Sequence, residues 1–153
     1  MLNLNRLRAI EPGKLLSLDE NKLKDAIRPV GYYNQKTEYL REITRFFISL
    51  KGEVPKREDI LMVRGVGEET ADSILLYAYR QLEFVVDAYT RRIFSHLGLI
   101  KENAKYSDIK ELIERNLPED LKTYQEYHAL IVEHGKRFYS RRPYGCQLKK
   151  IVG

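Results

Sequence analysis

The stretch GVGEETA (65–71) has the residue types of a turn that binds phosphate. Glycines at positions 65 and 67 allow backbone angles that other residues resist, and a helix is predicted to begin directly after them. The first amides of such a helix have no partner within it, and the helix dipole favours an anion beside them. A DNA phosphate fits this kind of site without any base being read. A plain connecting turn is the alternative, but the patterned helices on both sides favour phosphate binding.

A second candidate, Asp87, follows the apolar run LEFVV (82–86) at the predicted start of the next helix. In that position an aspartate ordinarily serves as an N-cap and accepts hydrogen bonds from the amides of the first turn. Glu69, within the glycine turn, has two interpretations: it interacts with the positive end of the helix dipole, or it touches a substrate. Residue type and position alone favour the structural role for both carboxylates.

Helical spacing of apolar residues recurs along most of the chain and predicts the elements that position these side chains. Ser17 is expected to cap a helix over 17–29, with Glu20 completing a capping box. Further helices are predicted over 34–52, 55–63, 71–78, 86–97, 109–113 and 121–132. LEFVV is the one strand-like run, and no second run of that character can pair with it. The sequence therefore predicts an all-α protein of short helices.

Charge and cysteine content limit the partners of this chain. A net charge of +5 and a pI near 9.2 favour an anionic partner, most commonly nucleic acid, although Lys/Glu-rich sequences are also typical of thermostable proteins. The single cysteine, Cys146, excludes an internal disulfide and any all-cysteine metal or iron–sulfur site. The opening MLNLNRLRAIEPGK lacks a long apolar core, and no run approaches ~18 apolar residues, so neither a signal peptide nor a membrane span is expected. We expect a cytoplasmic protein.

Taken together, these motifs resemble one known family. VRGVGEETA (63–71) and VDAY (86–89) are similar to the hairpin and the aspartate segment of the helix–hairpin–helix DNA glycosylase superfamily, to which endonuclease III belongs. The resemblance extends to IRPVGYYNQKTEYL (27–40), GEVP (52–55) and HGKRFYSRRPYGC (134–146), so it covers nearly the entire chain. The pattern GVGxExADxIL followed by VVDxY is most similar to the 3-methyladenine DNA glycosylase branch.

The resemblance implies a catalytic role for Asp87, which falls at the family's catalytic aspartate. A carboxylate facing C1′ of the deoxyribose would stabilise the positive charge that develops as the base leaves, and would orient water. The base must first be flipped out of the stack into a pocket. The implied partner is double-stranded DNA that contains a damaged base, bound by a monomer.

The same resemblance implies DNA and cation contacts at the hairpin. Amides of Gly65, Gly67 and Thr70 would bind phosphate, together with neighbouring Val66. Carbonyls of the hairpin would hold Na⁺ or K⁺ that bridges to DNA; these belong to Leu61, Val63 and Val66. Arg64 stands at a usual proline and either contacts phosphate or is solvated. Tyr89 replaces a frequent histidine and either donates to a phosphate or packs as an aromatic.

Glu69 falls where bifunctional members of the family carry a lysine. That lysine attacks C1′, forms a Schiff base and then nicks the strand. A carboxylate cannot form an imine, so the lyase step is expected to be absent, while hydrolysis needs only a carboxylate and water. Lesions such as 3-methyladenine carry a positive charge and leave easily, so a simple catalytic apparatus suffices.

Two departures from the family pattern carry further expectations. Many relatives hold an iron–sulfur cluster on four cysteines, but here only Cys146 remains and Tyr139 stands at the first ligand position, so no cluster is expected. Basic residues of this region either bind the DNA backbone or form a solvated tail; they are Lys136, Arg137, Arg141, Arg142, Lys149 and Lys150. The opening MLNLNRLRAI resembles the end of a second family helix, so N-terminal helices are expected to be missing.

The sequence therefore predicts a two-lobed helical glycosylase fold. The first lobe is expected over 1–85 with the helix–hairpin–helix at 55–79, and the second over 86–153. The predicted function is monofunctional removal of alkylated bases. The alternatives are a glycosylase for uracil, mismatched thymine or adenine, and a truncated DNA-binding module without catalysis, which would bind duplex in a salt-sensitive way and release no base.

Overall fold

The computed structural model describes residues 2–144, and every regular element in that range is helical. This confirms the predicted all-α class. The helices are α1 (Leu2–Arg6), α2 (Pro12–Ser17), α3 (Glu20–Ile27), α4 (Tyr33–Ser49), α5 (Arg57–Leu61), α6 (Glu68–Tyr77), α7 (Ala88–His96), α8 (Tyr106–Asn116) and α9 (Leu121–Phe138), with a turn of 3₁₀ helix at Arg28–Val30. None of these helices is long and apolar enough to cross a membrane.

The chain divides into two compact units, Met1–Gly67 and Glu68–Gly153. The boundary falls within the glycine turn rather than at residue 85, where the sequence placed the end of the first lobe. The reason is the packing of α6 against α9, which groups α6 with the second unit.

The first unit has a small apolar core. Leu15, Leu23 and Ile27 are buried where α2 and α3 pack against α4. The cap of α3 differs from the prediction: Asp19 accepts a hydrogen bond from the amide of Lys22 at 3.1 Å. Ser17 instead ends α2, a short helix with a proline at its start that the sequence analysis did not predict.

The second unit buries the apolar run that precedes Asp87. Phe84, Val85 and Val86 are 0 to 1% exposed, and they run through the core as extended chain that is assigned to no strand. α7 packs along α9, and aromatic and branched side chains of α8 and α9 fill the space around the run. The helices thus enclose residues 84–86 of the run LEFVV (82–86), while Leu82 is 45% exposed, and the buried part needs no paired strand.

Candidate active site

Asp87 is the N-cap of α7, and its carboxylate is held through one oxygen. The backbone is extended at this residue (φ −87°, ψ 179°), and the side chain turns back over the first turn of the helix. Oδ1 accepts hydrogen bonds from the amide and the hydroxyl of Thr90, at 2.7 and 2.8 Å. Thr90 is fully buried, whereas Asp87 is half-buried. Within residues 2–144 both hydrogen bonds to this carboxylate end on Oδ1, so Oδ2 is left for a ligand.

A buried polar chain fixes the backbone directly before Asp87. The amide of Val86 donates to the hydroxyl of Tyr106 at 3.2 Å. That hydroxyl donates in turn to Oδ2 of Asp72, at 2.8 Å. A buried amide without an acceptor destabilises a fold by about 1–3 kcal/mol, so these bonds favour one position of the segment strongly. The point from which the Asp87 side chain projects is therefore set by α6 and α8.

Lys110 forms ion pairs with the buried carboxylate of Asp72 and with two glutamates. Its ammonium lies 3.1 Å from Oδ1 of Asp72 and also contacts the carboxylates of Glu83 and Glu114. Glu114 accepts a hydrogen bond from the amide of Phe84 at 2.8 Å, a second anchor for the same segment. Burial raises the pKa of Glu114, while the Phe84 amide and Lys110 oppose that rise. Asp72 is completely buried, and a carboxylate in that position needs partners, which Lys110 and Tyr106 provide.

Three more polar side chains of the second unit lie within the electrostatic field of Asp87. Burial raises the pKa of Glu69, Asp87 raises it further, and Arg91 opposes the rise. The Tyr77 hydroxyl lies 2.6 Å from Nδ1 of His128, and burial followed by the charge of Asp87 raises the pKa of this tyrosine. Burial lowers the pKa of His128, and Asp87 partly offsets that effect. The pKa values of a second carboxylate, a phenol and an imidazole thus respond to the charge of the candidate catalytic aspartate.

The sequence interpretation did not identify five residues of this region, namely Asp72, Tyr77, Tyr106, Lys110 and His128. For Asp72 and Lys110 a signal was present, because each lies on the apolar face of its helix, where a charge requires a buried partner. For the other three there was no such signal, since tyrosine and histidine are ordinary residues on a packed helix face.

The glycine turn lies at the end of the first unit. Gly65 has φ +86°, a left-handed conformation, and a Cβ at this position would overlap the ring of Tyr39. Gly67 differs, because within residues 2–144 no atom outside Gly67 and its two chain neighbours lies within 4 Å of the place where its Cβ would be. The amide of Val66 donates to the carbonyl of Val63 at 3.0 Å and closes the turn. Only the first glycine is therefore required by the turn itself.

The other residues predicted to contact DNA lie on the surface. Arg64 forms an ion pair with Glu38. The sequence analysis had expected either a phosphate contact or a solvated side chain and had not identified this partner. Thr70 and most of Glu69 are exposed in the first turn of α6, although the Glu69 carboxyl group is partly shielded from solvent. The helix begins at Glu68, as the hairpin prediction required. Phosphate contacts by Arg64, Gly65, Val66, Gly67, Glu69 and Thr70 stay predictions.

The carbonyls predicted to hold a monovalent cation are compatible with that role. Na⁺ and K⁺ are hard cations that oxygen ligands suit, and Leu61, Val63 and Val66 would contribute only backbone oxygens. Val63 already accepts the amide of Val66, but a carbonyl oxygen has a second lone pair. The cation site stays a prediction.

Tyr89 packs against α9. A Cβ at Gly135 would overlap the Tyr89 side chain, so the ring lies directly on the helix backbone at that glycine. The guanidinium of Arg92 lies 5.5 Å from the centre of the same ring. The ring of Tyr89 is therefore a packed aromatic, as one of the two interpretations proposed. A phosphate contact by its hydroxyl stays a prediction.

Tyr139, which stands at the first cluster-ligand position, is completely buried. Its hydroxyl lies 2.8 Å from Nδ1 of His96, and its carbonyl accepts a hydrogen bond from Arg92 at 3.2 Å. Within residues 2–144, no group of three His, Cys, Asp or Glu side chains is arranged to hold a metal ion. Cys146, Lys149 and Lys150 lie outside the described residues, and the expected lack of an iron–sulfur cluster stays a prediction.

Comparison with known proteins adds independent findings. A family model described as HhH-GPD superfamily base excision DNA repair protein matches residues 2–119. A protein of Methanocaldococcus jannaschii that is named as a candidate DNA repair glycosylase is 47% identical over 97% of this chain and 74% of its own length. An endonuclease III of Sulfolobus acidocaldarius is 33% identical over 88% of this chain, which spans 62% of that relative. The solved structure of an H. pylori 3-methyladenine DNA glycosylase bound to 1,N6-ethenoadenine is also similar, with a TM-score of 0.76, 27% identity, and coverage of 88% of this chain and 74% of that one.

Proposed function

The chain belongs to the HhH-GPD superfamily of base excision DNA repair proteins, and we propose that it is a DNA glycosylase that hydrolyses the bond between a damaged base and its deoxyribose. The observation that carries this proposal is the half-buried carboxylate of Asp87, fixed through Oδ1 and available at Oδ2. A carboxylate held in this way can face C1′ of a flipped nucleotide without reorganising during the reaction.

In the proposed reaction, the bond between C1′ and the base nitrogen breaks and its electron pair leaves with the base. Positive charge develops on the sugar, and Oδ2 of Asp87 stabilises it. A water molecule adds to C1′ and gives up a proton to the carboxylate. Thr90 keeps Oδ1 in place throughout, while the Val86–Tyr106–Asp72 chain holds the backbone before the aspartate.

We assign an alkylated base of the 3-methyladenine type as the substrate. Asp87 raises the pKa of Glu69, so the two carboxylates lie in one another's field and together favour a positively charged ligand. An alkylated purine cation also leaves as a neutral base, which lowers the demand on the catalytic groups. The similarity to a 3-methyladenine DNA glycosylase supports the same class of lesion.

We assign hydrolysis without strand cleavage. A Schiff base at C1′ needs an unprotonated amine, and Glu69 at the hairpin position offers a carboxylate. Lys110 is the most buried lysine of residues 2–144, but its ammonium is engaged in ion pairs with Asp72, Glu83 and Glu114. It is therefore no substitute for a catalytic lysine.

The proposed ligand is duplex DNA that contains the damaged base, bound by a monomer. The chain has a net charge of +5, which favours the phosphate backbone. At the glycine turn, the open surface over Gly67 leaves room for a phosphate to approach the backbone. Contacts of this kind position a duplex independently of its sequence.

Base release from a duplex that carries 3-methyladenine or 7-methylguanine tests the proposal, with abasic sites revealed by hot alkali. Wild type is expected to release the base, and Asp87→Asn is expected to bind the same duplex but release at least about a hundredfold less. Salt-sensitive binding without release would identify a DNA-binding module instead. Release of uracil, mismatched thymine or mismatched adenine in place of alkylated bases would assign a different specificity.

Borohydride trapping tests the absence of a lyase step separately. The protein is incubated with an abasic duplex and sodium borohydride, and a covalent protein–DNA adduct is sought by denaturing electrophoresis. No adduct is expected, while a bifunctional endonuclease III serves as the positive control. An adduct formed by wild type would contradict the assignment of hydrolysis alone.

A further inference from the structure

Tyr77 and His128 form a polar pair next to Phe84, which belongs to the segment that leads to the proposed catalytic aspartate. The Tyr77 hydroxyl lies 2.6 Å from Nδ1 of His128, and the ring centres are 5.8 Å apart. Tyr77 is 45% exposed at the end of α6, whereas His128 is 9% exposed within α9. One member of the pair is thus open to a ligand and the other anchors it from the core.

The surroundings of His128 determine which of the two groups donates the hydrogen bond. Nε2 of His128 is buried and has no hydrogen-bond partner within residues 2–144. Burial also lowers the pKa of the ring, so at neutral pH it carries a single proton. A proton on Nε2 would be a buried donor without an acceptor, which costs more than an unused lone pair. The favoured tautomer therefore carries its proton on Nδ1 and donates it to the Tyr77 oxygen.

This tautomer gives the Tyr77 hydroxyl a direction. Its oxygen accepts from His128, so its own proton is free to point away from the histidine. The His128 ring lies edge-on to the ring of Phe84, 6.2 Å between centres, and Phe84 is three residues before Asp87, so the pair lies near the segment that carries the catalytic carboxylate. The charge of Asp87 accordingly acts on the pKa of both members. Burial and Asp87 both raise the pKa of Tyr77, so the proton is retained at neutral pH.

We propose that the Tyr77 hydroxyl, oriented by His128, donates a hydrogen bond to the departing base and determines which bases can be released. This inference rests on the proposed glycosylase function. As the C1′–N bond breaks, its electron pair moves onto the base. A base that starts out neutral, such as hypoxanthine, leaves with negative charge that a donor stabilises. A base that starts out cationic leaves neutral and gains little from the same donor.

The donor also offsets an electrostatic disadvantage of the site. The carboxylates of Asp87 and Glu69 favour a cationic base but oppose the departure of an anionic one. A hydroxyl directed at the leaving group reduces this opposition without adding a charge. The pair is therefore expected to extend the activity from alkylated cations to neutral lesions.

Single-turnover release of hypoxanthine and of 7-methylguanine, each in a duplex, tests this role in Tyr77→Phe. Release of hypoxanthine is expected to fall by roughly 10- to 100-fold, and release of 7-methylguanine by less than about threefold. Tyr127→Phe is the matched control, because it removes a hydroxyl from a half-buried tyrosine next to His128 on the same helix. Both of its rates are expected to stay at the wild-type level.

Variants of His128 test the orientation of the hydroxyl. His128→Asn can keep a donor near the Nδ1 position and is expected to retain most of the hypoxanthine activity. His128→Leu cannot donate and is expected to lose activity selectively, as Tyr77→Phe does. A loss shared equally by both substrates, or no loss in Tyr77→Phe, would overturn the inference. A wild type that releases 7-methylguanine but no hypoxanthine would overturn it and leave the proposed function standing, and release of neither would overturn both.

Discussion

Asp87 and Asp120 make the same helix cap. Each carboxylate accepts one hydrogen bond from the amide and one from the hydroxyl of the threonine three residues later, at 2.7 and 2.8 Å in both cases. Their surroundings differ, since Asp120 is exposed at the start of α9 while the field of Asp87 acts on Glu69, Tyr77 and His128. The cap geometry is therefore shared, and the surroundings distinguish the candidate catalytic residue.

The shared cap supplies a matched pair of substitutions. Asparagine caps helices about as well as aspartate, so Asp87→Asn and Asp120→Asn are each expected to lower the free energy of unfolding by less than about 1 kcal/mol. Only Asp87→Asn is expected to lose base release, because only that carboxylate is proposed to face C1′. Urea denaturation measures the first effect and single-turnover kinetics the second. An equal loss of activity in Asp120→Asn would show that the cap matters rather than the carboxylate.

The two glycines of the turn are expected to respond differently to alanine. Gly65→Ala introduces a Cβ at φ +86° and against the Tyr39 ring, so the free energy of unfolding is expected to fall by about 2 kcal/mol or more. Gly67→Ala meets open space in the free protein and is expected to keep wild-type stability. Its Cβ would instead lie where a phosphate is proposed to approach.

Gly67→Ala is accordingly expected to weaken duplex binding about tenfold or more, by an amount consistent with losing one hydrogen bond to a charged group. Fluorescence anisotropy with an undamaged duplex at fixed salt measures this effect, and thermal unfolding confirms that the fold is unchanged. If Gly67→Ala binds duplex as tightly as wild type, the glycine turn is only a connector and the phosphate site must be abandoned.

Tyr106 is expected to act through the backbone that leads to Asp87. Tyr106→Phe leaves the buried amide of Val86 without its acceptor and removes a donor from Asp72, so the free energy of unfolding is expected to fall by about 1–3 kcal/mol. Amide hydrogen exchange at Val86 is expected to accelerate, and base release to slow while duplex affinity stays constant. Tyr124→Phe, on a tyrosine buried in the same core, is the control. Unchanged exchange at Val86 would refute the positioning role.

The sequence was sufficient to predict elements whose causes are local. Helical spacing, the glycine turn and the apolar run before Asp87 each follow from neighbouring residues, and all three are present. The cap of α3 was misplaced, at Ser17 instead of Asp19, because a short helix before it left no periodic signal of its own.

The rest of the candidate site depends on contacts between distant residues. Tyr77 and His128 are 51 positions apart, and Tyr106 and Asp72 are 34 apart, so no local pattern joins them. Pairings of this kind are decided by how α6, α8 and α9 pack, which the sequence leaves open. Asp87 illustrates the distinction: its cap followed from position, whereas its polar neighbours required the fold.

Glu69 is expected to give stability a specific pH dependence. Its pKa is raised above 4.5 in the folded protein, by burial first and then by Asp87, so the folded state binds this proton more tightly than the unfolded chain. The ionised carboxylate therefore destabilises the fold at neutral pH, and the penalty disappears as the pH falls through the raised pKa toward 4.5. Glu69→Gln is expected to raise the melting temperature at neutral pH, with a difference from wild type that shrinks as the pH approaches about 4.

The helix dipole opposes this effect, because a carboxylate in the first turn of α6 is stabilised by it. Glu68→Gln is the comparison for that contribution, since it removes a carboxylate from the same turn, together with the contacts of Glu68 itself, and projects about 100° around the helix from Glu69. The Glu68→Gln substitution is expected to lower the melting temperature slightly at neutral pH. The test is thermal unfolding of the three proteins from neutral pH to about pH 4. A Glu69→Gln protein that is destabilised as much as Glu68→Gln at neutral pH would show that Glu69 is a dipole partner alone, with no electrostatic conflict with Asp87.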